Sequence, residues 1–504
     1  MKISEKLISN STYLMLDWII IASLSFLFWF SLGKALVKEE LGAVSTLINL
    51  VVLLSWICYL GITLALQKLI PEFREKNPKK VSALIRISAK PILITLAVVL
   101  LAMFIFSDQL ATVLKVSRQG ILISIFSLFS AVLFSFFGSI IYGFQNMKRY
   151  FLTDSLQSVL KVVISVILIF IGFRLYGPLI GFGLGYFIAM LLRVNLKYFK
   201  NKNSDFSYKE LFSYASPALI STIASYVLSN SQYIILTVIK NPGVTGIFTI
   251  AFLITSFITV IVNVLTAALF PIISGFSADR KKKSRCSYLI GLVLRNSLTI
   301  VIPISVIILI FSKLFVLSFS SVEYIYASTY FPMLIPSAIL FGLGGIFNSN
   351  LYAIGKPKIS RNIIVVTALL FLATSIPLVQ YFSALGISLS YLISMVFYFA
   401  LNLIFIRKFL KIKFFIRDII KISIASIFIG FILLLLYPAV NNIITLAAVS
   451  ILSIIIYLLL LLPLKFYRNE DIKILEFFAK RILILNKFLL MIIGFLKRFQ
   501  NKQS

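Results

Sequence analysis

The sequence predicts an all-α integral membrane protein, and three observations support that prediction. Of its 504 residues, 60% are hydrophobic and only 13% are charged. The mean hydropathy of +1.05 exceeds what a water-soluble domain can bury, because the interior of such a domain is limited by its surface. Long apolar runs recur along the chain, and runs such as 92–106 are continuous, whereas membrane β-strands alternate apolar and polar residues.

About fourteen runs of some 20 mainly apolar residues each predict a membrane-spanning helix. Charged residues, proline or glycine separate them. We place them at 11–33, 42–66, 87–107, 119–143, 153–174, 177–197, 213–239, 245–271, 288–311, 331–354, 362–381, 385–406, 418–437 and 442–464. An even number of spans puts both termini on the same side of the membrane.

The basic residues predict which side that is. The chain has 48 Lys and Arg against 16 Asp and Glu, a net charge of +32, and the basic residues concentrate in alternate loops such as 280–285 and 356–361. Because Lys and Arg stay on the cytoplasmic side, we expect a multi-pass plasma-membrane protein with both termini in the cytoplasm. That surface would attract anionic lipid headgroups. Topology accounts for the charge, so we expect no nucleic-acid partner.

Composition also excludes several classes of site. The chain contains no histidine, which removes Ser-His-Asp and Cys-His catalysis and histidine-ligated metals. Cys58 lies in an apolar run and Cys286 in a basic loop, so neither a disulfide nor a metal site is expected. No external loop is long enough for a catalytic domain. We therefore expect neither an enzyme nor a cofactor.

An internal repeat divides the chain, with an offset of about 205 residues. The segment LGAVST at 41–46 is echoed by TGIFTI at 245–250, and GLGYFIAM at 183–190 by SLSYLISM at 388–395. Six spans per repeat would insert both copies in the same orientation, with a cavity between the halves. We expect a first six-helix bundle at 1–197, a cytoplasmic linker at 198–212 and a second bundle at 213–406. Two extra spans would follow at 407–464.

The tail at 465–504 has a different pattern, because basic residues interrupt its apolar ones. Lys473, Lys480 and Lys487 alternate with apolar residues such as Ile474 and Phe477. This pattern predicts a basic amphipathic helix on the cytoplasmic interface. A fifteenth span at 483–496 is the alternative, and Asn486 and Lys487 argue against it.

Several loose motifs resemble the polysaccharide flippases of the multidrug/oligosaccharidyl-lipid/polysaccharide (MOP) superfamily, the Wzx-type O-antigen and teichoic acid exporters. They are KLISNS at 6–11, LIPEF at 69–73, YASP at 214–217, VTGIFTIA at 244–251, ALFP at 268–271 and LYAIGKPK at 351–358. The resemblance covers about the first 410 residues and implies a MATE-like pair of bundles. It specifies the fold and broad family better than the cargo.

The resemblance implies a flippase for a polyprenyl-(pyro)phosphate-linked oligosaccharide, which moves it from the cytoplasmic to the outer leaflet for cell-surface polysaccharide biosynthesis. Its partners would be that substrate and membrane lipids, and its transport unit a monomer. A sugar-phosphate headgroup cannot cross hydrocarbon unaided, because the desolvation of an isolated ion costs on the order of tens of kcal/mol. A wet, cationic cavity would lower that cost while the prenyl tail stays in lipid.

Ionisable and polar residues inside spans are the candidate cavity residues. Lys161 is the deepest cation, roughly 12 Å into the membrane at 1.5 Å per residue, and Arg295 lies at a similar depth. Both could attract phosphate, with Asp17 as a counter-ion or coupling site. The alternative for all three is snorkelling to the interface. The amides that could bind sugar hydroxyls, or only bond helix to helix, are Asn230, Gln232, Asn348 and Asn350.

Two other functions remain open. A cation-coupled multidrug exporter of the same superfamily would need a cluster of buried carboxylates, and Asp17 stands almost alone in the spans. A membrane polysaccharide polymerase would need a large external loop or an acidic catalytic cluster, and the sequence has neither. The related lipid II flippases carry several arginines in their first two spans, and this chain has none there.

Overall fold

The computed structural model describes residues 3–195, 206–277 and 283–467, and in them every regular element is helical. The α-helices are α1 (Ile3–Ala35), α2 (Lys38–Tyr59), α3 (Ile62–Lys76), α4 (Pro78–Ile105), α5 (Ser107–Val113), α6 (Arg118–Gly143), α7 (Met147–Leu168), α8 (Tyr176–Arg193), α9 (Tyr208–Ile239), α10 (Pro242–Ser277), α11 (Lys283–Ile310), α12 (Ser312–Phe319), α13 (Phe331–Ala353), α14 (Pro357–Phe409), α15 (Ile416–Leu436) and α16 (Ile443–Leu460). A π-helical turn (Ile169–Phe173) follows α7, and 3₁₀ segments precede α13 and follow α15.

Thirteen helices of the described chain are long and apolar enough to cross a membrane. The longest, α14, has 53 residues, and its backbone breaks at Ser383, where φ is +54°. Its two arms lie side by side, since the Thr374 and Ser390 hydroxyls are 2.6 Å apart. The helix is thus a hairpin that contains both predicted spans 362–381 and 385–406. The all-helical fold with about fourteen spans is confirmed.

The predicted span 42–66 is wrong at its C-terminal end. The helix α2 stops at Tyr59, because Leu60 and Gly61 both have positive φ angles of 51° and 74°. A Cβ on Gly61 would lie 2.1 Å from the Ala215 carbonyl oxygen, so the close approach of α9 requires glycine at this turn. The chain continues as the short helix α3, which buries an apolar face and carries Arg74 and Lys76 in its last turn.

At the crossing of α2 and α10, a glycine of each helix approaches the backbone at the start of the other, so the contact is reciprocal. An added Cβ on Gly42 would lie 1.7 Å from the Pro242 carbonyl oxygen, and one on Gly246 would lie 2.0 Å from the Lys38 carbonyl oxygen. Gly42 and Gly246 are 204 positions apart, and so are Lys38 and Pro242, which matches the offset of the repeat. The Thr249 hydroxyl also donates to Ser45 Oγ (3.1 Å), its own repeat equivalent. Repeat-related residues therefore face each other across a local two-fold axis.

The described chain forms two compact units. The first contains the described residues of Met1–Val260, Val316–Gly344 and Gly355–Leu403. In it, α7 packs against α1 and α8, and α6 packs against α8. The second contains those of Ile261–Phe315, Gly345–Ile354 and Ile404–Ser504, with α11, α15 and α16 around an apolar core.

The predicted domain boundaries at 1–197, 213–406 and 407–464 stay a prediction. Most of the predicted linker 198–212 lies outside the described residues, as does the tail 465–504 beyond residue 467.

Candidate functional site

A cavity of about 290 Å³ lies inside the first unit, between α2, α3, α6, α7 and α8. Aliphatic and aromatic side chains form much of its wall, and polar groups converge on it. The polar lining residues are Ser55, Tyr59, Thr63, Gln67, Ser135, Ser139, Tyr150, Asp154, Tyr186 and Arg193. A wall of this composition, with a few polar groups aimed into an apolar pocket, is typical of a ligand site.

Arg193, in the last turn of α8, is the most deeply buried charge at this cavity, with 1% of its surface exposed. Its guanidinium donates to Asp154 Oδ1 (2.7 Å) and Thr153 Oγ1 (2.8 Å). It also donates to the carbonyl oxygens of Phe134 (3.2 Å) and Tyr150 (3.3 Å). A buried charge needs this many partners to repay its desolvation, so the side chain is held in one position.

The neighbouring helix α6 leaves room for that guanidinium. Gly138 faces it, and an added Cβ there would lie 2.2 Å from Arg193 Nη1. One turn earlier, the Phe134 ring stacks on the guanidinium, with its centroid 3.6 Å from Cζ. A glycine and an aromatic ring four residues apart on α6 thus form the slot for one arginine.

Asp17 extends this charged group from the side of α1. Its carboxyl group is buried, and both Asp154 and Arg193 act on it electrostatically. Its Oδ1 atom has no hydrogen-bond partner among the described residues. With both carboxyl groups ionised, the cluster of Asp17, Asp154 and Arg193 would carry one net negative charge. Such a cluster can exchange a proton or attract a cation.

Helix α7 presents a polar face to the interior of the unit and an apolar one to the outside. Its buried polar residues lie on one face, at successive turns of the helix: Thr153, Asp154, Gln157, Ser158, Lys161 and Ser165. Leu152, Val159, Val163 and Ile167 on the other side are exposed. This is the reverse of a helix in a soluble protein and suits one that faces lipid outside and a polar interior inside.

Lys161 is two turns beyond Asp154 on that polar face, about 10 Å along the helix. The residue is buried, and its ammonium nitrogen lies 4.9 Å from the centroid of the Phe28 ring of α1. No carboxylate of the described residues is within ion-pair distance of it. The Gly185 position of α8 approaches the Lys161 backbone closely, since an added Cβ would lie 3.0 Å from the Lys161 nitrogen.

Arg295, in the second unit, has a partner that the sequence analysis did not anticipate. Its Nε atom is 2.8 Å from Asp418 Oδ2, and its Nη2 donates to the Phe466 carbonyl oxygen (2.8 Å). The Phe466 ring also stacks on the guanidinium at 3.9 Å. This buried pair joins α11 to α15.

The four predicted amides lie in different places. Asn230, on α9, lines a second cavity of the first unit. Gln232 is buried on the same helix and donates from Nε2 to the Ser229 carbonyl oxygen (2.8 Å). Asn348 and Asn350 are buried on α13 within the second unit, and Asn350 Nδ2 donates to the Ile346 carbonyl oxygen (2.7 Å). Of the seven predicted residues, Asp17 and Lys161 share the α1–α7 interface.

Sequence reasoning missed Asp154 and Arg193. Both lie within a few residues of the ends of predicted spans, where charges are usually taken as interfacial. The signal that could have found them is the spacing of Asp154, Gln157 and Lys161, which places three polar groups on one face of an apolar helix.

Comparison with known proteins decides the family. The family model for "Polysaccharide biosynthesis protein" matches residues 7–277, more than half of the chain. The chain belongs to this family. No curated protein matches the sequence.

Solved structures with this fold are transporters of the MOP superfamily. A lipid II flippase, MurJ, in an inward closed conformation aligns with a TM-score of 0.70 and 17% identity, over 90% of this chain and 98% of MurJ. An inward-facing multidrug resistance MATE family transporter aligns with a TM-score of 0.63 and 15% identity, over 77% of this chain and 93% of its own. The MATE multidrug transporter DinF-BH aligns with a TM-score of 0.56 and 18% identity, over 81% of this chain and 96% of DinF-BH. This polysaccharide-biosynthesis family member therefore has the MOP transporter fold.

Proposed function

We propose that the protein flips a polyprenyl-(pyro)phosphate-linked oligosaccharide from the cytoplasmic to the outer leaflet of the plasma membrane. Its family membership supports a substrate of polysaccharide biosynthesis, and its fold supports a transporter. Transport proceeds by alternating access of the two repeat bundles, 1–197 and 213–406, in a monomeric unit with both termini in the cytoplasm. The prenyl tail remains in lipid throughout.

The observation that carries this proposal is the buried Lys161 ammonium on the polar face of α7. A buried cation without a carboxylate partner is costly, and a mobile anion that binds beside it lowers that cost. A substrate phosphate is such an anion. In this proposal Lys161 attracts the phosphate, the cluster of Asp17, Asp154 and Arg193 is the coupling site, and Arg295 holds α11 against α15.

The contacts at one end of the first unit support a state closed toward the outside. The Tyr324 hydroxyl donates to the Leu36 carbonyl oxygen (2.8 Å), and Lys34 Nζ to that of Leu317 (2.8 Å). With the reciprocal α2–α10 crossing, they link the two repeats where α1 ends and α2 begins. Because the predicted topology places that end outside, release of the substrate requires these links to separate.

A leaflet-accessibility assay tests the proposal in cells depleted of the protein and complemented with variants. The wild type restores the lipid-linked oligosaccharide to the outer leaflet. Lys161→Ala lowers the rate about tenfold, because a hydrogen bond to a charged group contributes about 1.5–3 kcal/mol. Lys358→Ala, which removes an exposed lysine in the first turn of α14, keeps the wild-type rate. Equal rates for Lys161→Ala and the wild type, at equal expression, would exclude this role for Lys161.

A cation-coupled multidrug exporter is the second candidate, and one observation favours it. Asp17 and Asp154 form the buried carboxylate pair that such an exporter needs and that was not evident in the sequence. Drug sensitivity on depletion, with the surface glycan unchanged, would favour the exporter. Inward-facing lipid-linked oligosaccharide that accumulates on depletion would favour the flippase.

A further inference from the structure

A second cavity of the first unit, about 240 Å³ in volume, lies between α9, α10, α13 and the second arm of α14. Its walls combine hydroxyl and amide groups with aromatic rings. The lining residues are Ser229, Asn230, Phe252, Thr255, Ser256, Thr259, Val260, Leu334, Ala338, Phe341 and Tyr391. None of them is ionisable at neutral pH, in contrast to the first cavity with Asp154 and Arg193.

The polar groups of this cavity offer both donors and acceptors. The half-buried Asn230 amide has no hydrogen-bond partner among the described residues, so its two donors and its carbonyl oxygen are available. The three hydroxyls of α10 donate their single protons to backbone carbonyl oxygens: Thr255 to Ala251, Ser256 to Leu253 and Thr259 to Ala338. Their lone pairs remain as acceptors.

Contacts with other aromatic rings hold the rings of this cavity in place. The Phe252 and Tyr391 rings meet edge to face with centroids 5.7 Å apart, and Tyr391 also meets Phe371 at 6.2 Å. Phe341 packs on Tyr398 at 5.7 Å. Rings fixed in this way offer flat apolar surfaces inside the pocket.

The lining selects a small, neutral and hydroxylated ligand. A phosphate or an ammonium group would lose its hydration without gaining an opposite charge. The cavity volume of about 240 Å³ is below that of pockets for drug-sized molecules. A volume of this size suits a ligand with a single ring. A hexopyranose presents C–H groups on its faces for the aromatic rings and hydroxyls on its rim for Asn230 and the α10 hydroxyls.

We infer that this second cavity binds one neutral hexose ring of the oligosaccharide headgroup. The inference rests on the proposed function and deepens it. It assigns the phosphate and the sugar to separate places, with the charge beside Lys161 and the ring beside Asn230, Phe252 and Tyr391.

Ligand-detected saturation-transfer NMR of the full chain in detergent tests the inference. The probes are the methyl glycosides of glucose, galactose and N-acetylglucosamine. We expect at least one glycoside to receive saturation from the wild type, most strongly at the ring C–H protons. The signal should fall at least fivefold in Asn230→Leu and in Phe252→Leu, and should persist in the control Asn362→Leu, where the asparagine is exposed.

The variants separate the failure of this inference from that of the flippase proposal. Absence of saturation transfer from the wild type to all three glycosides, or equal signals from the wild type and Asn230→Leu, overturns the sugar site alone. Tyr391→Phe keeps the ring and removes only one hydroxyl, so a folded variant with most of the wild-type signal supports stacking. Lys161→Ala should leave glycoside binding unchanged, and a parallel loss in that variant would contradict the separation of phosphate and ring.

Discussion

Arg193 is buried among four hydrogen-bond acceptors, and its only carboxylate partner within ion-pair distance among the described residues is Asp154. A buried ion pair is a weak source of stability relative to an apolar pair, but the loss of one partner leaves an uncompensated charge. The two charges should therefore be coupled in their effect on the free energy of unfolding.

Arg193→Met is expected to lower the free energy of unfolding by about 3–5 kcal/mol, because Asp154 stays buried without its guanidinium. The double variant with Asp154→Asn should be less destabilised than Arg193→Met alone. Unfolding titrations with SDS measure both. Arg174→Met is the matched control, since Arg174 is exposed and its ion pair with Glu40 (3.5 Å) should contribute at most about 1 kcal/mol. Equal losses at Arg193 and Arg174 would refute the buried-pair interpretation.

Gly138→Ala is expected to destabilise the protein by about 1–3 kcal/mol, because the added methyl group overlaps the fixed guanidinium of Arg193. A long side chain normally yields at its far end, but this one is bound by four acceptors. Thermal unfolding in detergent measures the change. Gly345→Ala is the control: its methyl group would lie 3.9 Å from Asn263 Oδ1, an ordinary contact, so it should be nearly neutral. An unchanged thermal stability of Gly138→Ala would contradict the interpretation that the Arg193 guanidinium is fixed against Gly138.

Some of the candidate site residues could be predicted from the sequence, and others could not. Lys161 and Asp17 were identifiable because an ionisable group inside a span is costly and hence rare. The partner of Arg295 was not identifiable, because Asp418 is 123 positions away and only the packing of α15 on α11 brings it near.

At the scale of elements, α7 could be predicted as a span but its orientation could not be assigned from mean hydropathy alone. The polar residues at 154, 157, 158, 161 and 165 define its interior face. The end of α2 was not predictable, because the run 42–66 contains no charged residue and no proline, and the turn at Gly61 depends on the close approach of α9. Local pattern predicts the helices, whereas contacts between helices decide where some of them stop.

Gly42→Ala and Gly246→Ala should destabilise the protein by similar amounts, because each methyl group meets the backbone carbonyl of the other repeat. A carbonyl of a helix end cannot move without shifting α2 against α10, so the effect should exceed that of Gly345→Ala. Thermal unfolding of the two variants provides the comparison. A large loss of stability for one variant and none for the other would show that the two halves of the crossing contribute unequally to stability.

At the scale of the whole molecule, the proposed transport cycle requires α2 and α10 to separate at their crossing. Ser45→Cys with Thr249→Cys, in a background with Cys58 and Cys286 replaced, places two thiols where the hydroxyl oxygens are now 3.1 Å apart. Oxidation should crosslink them and reduce translocation at least tenfold, and a reductant should restore it. Either single cysteine serves as control. Full translocation by the crosslinked protein would overturn alternating access at this crossing.

The predicted orientation is tested with single cysteines in the same background. Val322→Cys, exposed at the start of the 3₁₀ segment before α13, should react with a membrane-impermeant maleimide in intact cells. Lys358→Cys, which lies in the basic cluster at the start of α14, should react only after permeabilisation, because basic clusters remain in the cytoplasm. The reverse pattern would invert the topology.

The reciprocal α2–α10 crossing at Gly42 and Gly246 has a consequence for how such a chain can arise. A surface on which each residue meets its own counterpart is self-complementary, so a polypeptide of half this length that carried it would pair with a second copy of itself. Fusion of two such copies after gene duplication would then preserve a homodimer interface inside one chain. In such a chain the glycines at 42 and 246 would be the two halves of one ancestral dimer contact.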